Sequence, residues 1–357
     1  YDLPIPKFET VDIWRPHFEN GIVLKTRYGG YDGKGVWVIH TEAEFNKVIG
    51  DSGLPLAQFY VEEKVMIKKE LSLIMSIDVK GNISYYPIVE LEQENGICIS
   101  TIAPAIISNK MEKEIQEFGA KIYKSLVNIC RTSYVGILAV ELFLTMDNKI
   151  LINEISPRVH NSGHFTIEGC VTSQFENHIR TIMGLSSGDC SLISSDITVK
   201  MTNILGGKNE DALNINDPDI IVHNYNKTPK AGVGQPYKLL RKIGHYTEIY
   251  KSINNSYNNS NYYNSYNKKN KSSMNYWDVC DNKSIQNKII KEPNKLVYVV
   301  MGSSSDLPQM EGCIQLLKKY NIQHEVDIVS AHRTPHWMYE FAKKAEEKGR
   351  VIIAAAG

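Results

Sequence analysis

Two acidic residues stand where acidic residues are costly. Glu141 lies in AVELFL and Glu154 in LINEIS, each inside an otherwise apolar run. A carboxylate buried without a partner is strongly disfavoured. A shared divalent cation would account for both, and magnesium favours carboxylate oxygen together with nucleotide phosphate. The other reading is that strand alternation turns both toward solvent. Directly after Glu154 comes SPRVHNSGH, where Arg158, His160, Asn161, Ser162 and His164 fall within seven positions. Polar side chains this dense on a loop after a strand suit a binding or catalytic site, with a solvated loop as the alternative. KLLRKIGH sets Lys238, Arg241, Lys242 and His245 close together. Such a cluster could anchor a phosphate ester, though basic runs usually just face water.

A second chemistry-bearing stretch is KTRYGGYDGKG, residues 25 to 35, with four glycines in seven positions between Lys25, Arg27 and Lys34. Glycine frees backbone N–H groups to form an anion nest, and the lysines add charge. The Walker A pattern fails, because Lys34 is followed by Gly35. The dinucleotide fingerprint fails too, since VWVI rather than a helix follows. The spacing predicts strand, glycine-rich flap, strand, closing over phosphates; a plain hairpin turn is the alternative.

These residues need a scaffold, and the chain is long enough to build one. Its 357 residues suggest two or three domains, and 42% hydrophobic content supports real cores. Forty basic and forty acidic residues give zero formal charge, which argues against a nucleic-acid binder and against a membrane-attracted surface. The six cysteines are scattered without C-x-x-C, so neither a zinc site nor a redox motif is expected, and a reduced cytoplasmic chain is the simplest reading. No apolar stretch approaches membrane-spanning length, and YDLPIPKFETVD is no signal peptide. The chain opens on Tyr1 and closes on VIIAAAG, a buried-strand pattern, so it reads as a fragment of a longer polypeptide.

Three regions are expected. Residues 1–247 alternate strand and helix patterns. SLIMSIDVKGNISYYPIVEL predicts a hairpin around Lys80, Gly81 and Asn82, and GILAVELFLTMDNKILINEISP predicts two strands joined at Met146–Lys149. KMEKEIQEFGAKIYKSLVNIC carries Ile115, Phe118, Ile122 and Leu126 at helical spacing, and SQFENHIRTIMGL reads as a second helix. Residues 248–294 form an Asn-rich linker: 252–275 alone hold nine Asn and six Ser, leaving almost nothing to bury. Residues 295–357 restart as β-loop-α-β-loop-α-β, the beginning of an open parallel sheet.

On these motifs the chain resembles a known family. KTRYGGYDGKG, YVEEKVMIKKEL, VELF, INEISPRVHNSGH and CVTSQFENHIR are similar to the ATP-grasp enzymes that make N5-carboxyaminoimidazole ribonucleotide. MGSSSDLPQM and SAHRTPHWM are similar to the mutase that follows in purine synthesis, and their order resembles the bifunctional phosphoribosylaminoimidazole carboxylases. The resemblance implies an α/β chain: an α+β ATP-grasp domain, then the start of a flavodoxin-like parallel-sheet domain. It implies that Lys25 holds ATP phosphates under a flap of Gly30, Tyr31, Asp32, Gly33, Lys34, Gly35 and Val36. Glu62, Glu63, Lys64 and Val65 would form the hinge against adenine. Glu70 would take the ribose, and Gln93 and Asn153 further nucleotide contacts. Glu141 and Glu154 would bind Mg²⁺. Arg158, His160, Asn161 and Ser162 would face bicarbonate and aminoimidazole ribonucleotide, with Lys238, Arg241 and Lys242 on its phosphate. In the mutase part Ser303, Asp306 and Arg333 would hold nucleotide while His332 shuttles protons. A homo-oligomer built through the mutase domain is implied for the longer parent.

The departures are specific. KLLRK stands where the family has R-P-x-R-K, so Lys238 replaces an arginine, and the two bind phosphate differently. Ala355 stands where the family has glycine. The domain that precedes the flap in the family and the rest of the mutase sheet lie beyond these residues. Another ATP-grasp ligase, or a non-catalytic remnant of the fused enzyme, are the readings left open beside this one.

Overall fold

A computed structural model describes residues 3–11, 20–29, 35–227, 237, 239–253, 256–259, 297–319, 322–330, 334–347 and 351–355. Gly30 to Lys34, Lys238, His332, Arg333 and most of the Asn-rich stretch lie outside the described residues. The chain divides into two compact units, Tyr1–Asn267 and Lys268–Gly357.

The first unit holds two sheets. The smaller comprises β1 (Phe8–Thr10), β2 (Ile22–Thr26), β3 (Val36–Ile39) and β4 (Phe59–Glu63), antiparallel in the order β1-β4-β2-β3. Ile22, Leu24, Ile39, Phe59 and Val61 pack with Phe45 of helix α1 (Glu42–Ser52). By alternation the opposite face carries Lys25, Tyr60 and Glu62, Lys25 pairing with Tyr60 and Val36.

The larger sheet comprises β5 (Ile67–Ile77), β6 (Ile83–Tyr85), β7 (Val89–Glu94), β8 (Ile97–Ala103), β9 (Gly136–Thr145), β10 (Ile150–Ser156), β11 (Ile197–Leu205), β12 (Ile220–Asn224), β13 (Lys242–Ile253) and β14 (Ser256–Asn259). The order is β10-β9-β5-β7-β8-β11-β13-β12, with β6 on β5 and β14 on β13. Helix α2 (Asn109–Cys130) covers one face, burying Ile115 and Ile122 against Leu71, Leu73, Met75, Leu138, Val140 and Ile152. The other face, with Ile74, Ile137, Val199 and Met201, receives Phe165. Next to Phe165 run α3 (Thr166–Gly169) and α4 (Gln174–Ile182). The boundary expected at 247 falls too early. β13 continues to Ile253 and pairs with β14, Tyr250 opposite Asn259. Ladder bonds use backbone groups, which Asn and Ser supply as well as any residue, so composition hid this continuation.

Gly119 of α2 shows how close the helix lies. A Cβ there would meet Met75 Sδ at 2.6 Å and Leu73 Cδ2 at 2.7 Å. Alanine gains about 1 kcal/mol in helix propensity, but overpacking a buried layer costs about 1–3 kcal/mol. Both blocking side chains are fully buried, so the packing cost should win. Gly119→Ala is expected to lower stability by roughly 1 kcal/mol, read as a reduced melting temperature. A raised one would show that the layer yields freely.

In the second unit β15 (Val297–Met301), α5 (Leu307–Lys319), β16 (His324–Ile328), α6 (Pro335–Glu347) and β17 (Val351–Ala355) follow in order. The strands are parallel, β16-β15-β17. Val299 and Met301 pack on Met310, Ile314 and Leu317 of α5, while Tyr298 and Val300 pack on Phe341 and Ala345 of α6. A central first strand flanked by the second and third is the start of a flavodoxin-like sheet, as the sequence predicts. No helix among the described residues is long and apolar enough to cross a membrane.

Candidate active site

A bulge in the β9–β10 hairpin makes the acidic pair. Ile150 and Ile152 face the layer under α2, and regular alternation would send Glu154 the same way. Instead the register shifts between Ile152 and Glu154, so Glu154 pairs directly with Glu141. The extra residue, Asn153, reverses the parity of the strand. Glu141, Glu154 and His160 bring one ligand atom each within 4.8 Å of one another. The Glu141 carboxyl is pushed up to about 7, first by burial, then by Glu154 and Glu70, with Lys242 and Arg158 opposing. Two carboxylates forced together in a half-dry place are a donor set that suits a hard divalent cation.

The small sheet faces this pair. Lys25 Nζ lies 2.6 Å from Glu62 Oε2 and donates to Asn153 Oδ1 at 3.3 Å. Tyr60 is pushed up to about 12 by burial and by its bond to Glu62, with Glu154 adding to it. Three residues expected at the nucleotide therefore hold one another here, and a phosphate reaching Lys25 must compete with the Glu62 carboxylate. Glu63 accepts from Lys7 N–H at 3.0 Å. Lys64 donates its backbone N–H to Gly21 O, and Val65 follows it. Gly35 sits at φ +76°, a left-handed turn position that favours glycine. Its carbonyl accepts from Thr26 N–H at 2.9 Å, just before Val36 opens β3. Glu70, on β5 between Phe143 and Leu91, is raised by burial. Gln93, on β7, pairs with Cys98.

The HNSGH turn is held from beneath. Gln174, fully buried at the start of α4, clamps the His160 backbone. Its Oε1 accepts from His160 N–H at 3.0 Å and its Nε2 donates to His160 O at 2.7 Å. Ser162 N–H donates to His160 Nδ1 at 3.4 Å, so neutral His160 carries its proton on Nε2. That nitrogen lies 3.6 Å from Glu141 Oε1. Ser162 Oγ lies 2.7 Å from His160 Nδ1 and 2.9 Å from Ser72 Oγ. Two of the expected residues are engaged within the protein. Ser162 is buried and supports His160. Asn161 is taken up by a reciprocal amide pair with Asn203, 2.8 Å each way, which ties the turn to β11. Gly163 permits the clamp, because a Cβ there would sit 2.5 Å from Gln174 Oε1. Gly163→Ala is expected to cost about 1–3 kcal/mol, measured by thermal melting. Unchanged stability would mean that the clamp is loose.

Arg158 is exposed, its Nη1 donating to Val159 O at 3.0 Å. Arg241 precedes β13 and Lys242 opens it, and Lys242 is felt electrostatically by both Glu141 and His164. His245 does not join them as a surface anchor: strand alternation buries it to 2% exposure. In the second unit, Ser303 N–H donates to Asp306 Oδ2 and Asp306 N–H to Ser303 O, both at 3.1 Å, closing the turn after β15. Sequence reading missed Ser72, Gln174 and Asn203. Each is a polar residue inside an element, and only a buried partner distant in sequence marks it.

Known proteins match this arrangement. Residues 3–175 match the ATP-grasp domain model and residues 296–357 the AIR carboxylase model. The phosphoribosylaminoimidazole carboxylase of Ogataea methanolica is 34% identical over 347 residues, covering 94% of this chain and 59% of that protein. The chain carries an ATP-grasp match followed by an AIR carboxylase match and is similar along nearly its whole length to phosphoribosylaminoimidazole carboxylases. It spans under two thirds of the length of the curated relatives it matches. N5-carboxyaminoimidazole synthetase from Staphylococcus aureus, solved with ADP, superposes with a TM-score of 0.60 at 31% identity, covering 71% of this chain and 65% of that one. The Aspergillus clavatus N5-carboxyaminoimidazole synthase, solved with ADP and 5-aminoimidazole ribonucleotide, gives 0.58 at 27% identity with the same coverages. The ATP-grasp match thus covers Glu141, Glu154 and the HNSGH turn.

Proposed function

We propose that this protein catalyses the carboxylation steps of purine synthesis. ATP and bicarbonate would carboxylate 5-aminoimidazole ribonucleotide on its exocyclic amine, and the mutase part would move the carboxylate to ring carbon. The observation that carries this reading is the bulge-made pair of Glu141 and Glu154, with Asn153 beside it, faced by Lys25 from the small sheet. In this reading Lys25 and the flap of residues 30–36 hold the ATP phosphates, residues 62–65 meet adenine, and Glu70 takes the ribose. Glu141 and Glu154 would hold Mg²⁺, which would neutralise charge on the transferring phosphoryl group. Bicarbonate oxygen attacks the γ-phosphorus, ADP leaves, and carboxyphosphate breaks to carbon dioxide and phosphate. The amine captures the carbon dioxide and gives up a proton. Arg158 and His160 face the bicarbonate-derived group. Asn161 and Ser162 hold the turn, and Lys238, Arg241 and Lys242 meet the ribonucleotide phosphate. A closed flap excludes water, which would otherwise consume carboxyphosphate.

Lys25→Ala tests the nucleotide side. A charge-assisted phosphate contact contributes about 1.5–3 kcal/mol, so ATP affinity should fall about tenfold or more. Isothermal titration with ATP and magnesium on the intact protein reads this directly. Equal affinity in the variant would count against the assignment.

A further inference from the structure

Beside the acidic pair lies a stack of rings that the reaction above does not use. Phe175, His164, His245 and His223 follow one another at 5.6, 4.7 and 4.6 Å, tilted by only 17°, 19° and 21°. His223 is paired with His245 across β12 and β13 and is anchored by Glu168, 2.6 Å from its Nε2. Tyr225 lies edge-on to His164, and its hydroxyl is 2.7 Å from His245 Nδ1. His164 is thus pinned between two rings, one of them in a second stacked pair.

Gln174 decides where the proton of His164 sits. Its amide orientation is set by the two backbone bonds to His160, so Nε2 is the donor end. That same Nε2 lies 3.3 Å from His164 Nδ1. Nδ1 must accept, and the ring proton belongs on Nε2. A second proton would set N–H against N–H. It would also add charge beside His160 on the same loop, Lys242 on β13 and His223 on β12. Burial first, then these charges, press the ring down to about 3. Among the described residues Glu168 is the one acid paired with a ring of the stack, and its near oxygen is engaged by His223. The ring itself is half-buried. Lys242 acts on both His164 and Glu141, and His160, 3.6 Å from Glu141, acts on His164 too, so His164 lies within electrostatic reach of the acidic pair.

We propose that His164 is a neutral Nε2–H hydrogen-bond donor to the oxyanion of the bicarbonate-derived group, its tautomer set by Gln174 and its ring clamped by the stack. The proposal rests on the carboxylation reading. A neutral imidazole in this role lends a hydrogen bond without surrendering its proton, so it stabilises developing negative charge equally in acid and in base. His160, aimed at Glu141, has a different task.

Two measurements on the intact protein test this. Nitrogen-15 spectra of labelled histidines, assigned with His164→Gln, should show His164 neutral with its proton on Nε2 throughout about pH 5.5 to 8.5. Titration in that range, or a proton on Nδ1, overturns the proposal. In kinetics, His164→Phe keeps a ring for the stack but no donor. It should lower kcat for bicarbonate-dependent ATP turnover by about a hundredfold with KM for ATP unchanged. His164→Gln, which returns an N–H near the same place, should restore most of the rate. Equal loss in both variants sinks the donor role. Wild-type protein with no bicarbonate-dependent turnover would instead remove the carboxylation reading, and with it the oxyanion, while the spectra still decide the tautomer.

Discussion

Glu154→Gln and Glu141→Gln should each lower bicarbonate-dependent ATP turnover by about a hundredfold or more while leaving the melting temperature near that of the parent. The loss is large because the cation would stabilise charge on the transferring group at the moment it develops. The fold survives because glutamine keeps the shape and removes one member of a repelling pair. The pH dependence has a definite sign. Burial and Glu154 push the Glu141 carboxyl up to about 7 from an ordinary value of 4.5. Between those values the cation-free site holds a proton that magnesium must displace. Magnesium affinity should therefore rise about tenfold per pH unit up to about pH 7 and level off above it. Titration of Mg²⁺ at several pH values, with proton release followed in parallel, reads both. Wild-type turnover in either variant, or an affinity flat with pH, contradicts the shared-cation reading.

His332→Asn should separate the two activities. SAHRTP begins at Ser330, two residues after β16 ends, and open α/β sheets bind ligands at the carboxyl ends of their strands. Ser303 and Asp306 close the neighbouring turn after the central strand β15. Imidazole titrates near neutrality and can take and return a proton as the carboxylate changes atoms. In the intact protein His332→Asn is expected to leave bicarbonate-dependent ATP hydrolysis unchanged and to abolish the carbon-carboxylated product. The N5-carboxylated compound then accumulates, subject to its own decay. Product analysis by chromatography checks this. Lost ATP hydrolysis, or normal product, overturns the division of labour.

Much of the scaffold was legible because periodicity is local. Ile115 and Ile122 at helical spacing and the alternation along residues 136–145 marked their elements, and the restart after residue 295 marked the parallel sheet. What was not legible depends on partners distant in sequence. Alternation from Ile150 and Ile152 points Glu154 under α2, and only the unpaired Asn153 turns it back. Ser162 looks like a site hydroxyl until Ser72 is brought against it from 90 residues away. His245 reads with its basic neighbours along the chain but stacks with rings from two other segments.

The hairpin bulge makes chain length itself part of the site. A substitution at Asn153 alters one side chain. One residue added after Ile152 with the bulge retained would set Glu154 opposite Val140 and rotate it toward Leu142 and the apolar layer beneath α2. The same site, one residue longer, would exchange a cation ligand for an unpaired charge in the core. Along β10, then, insertions should be purged far more strictly than replacements, and grafting this site onto another hairpin would require copying its count before its side chains.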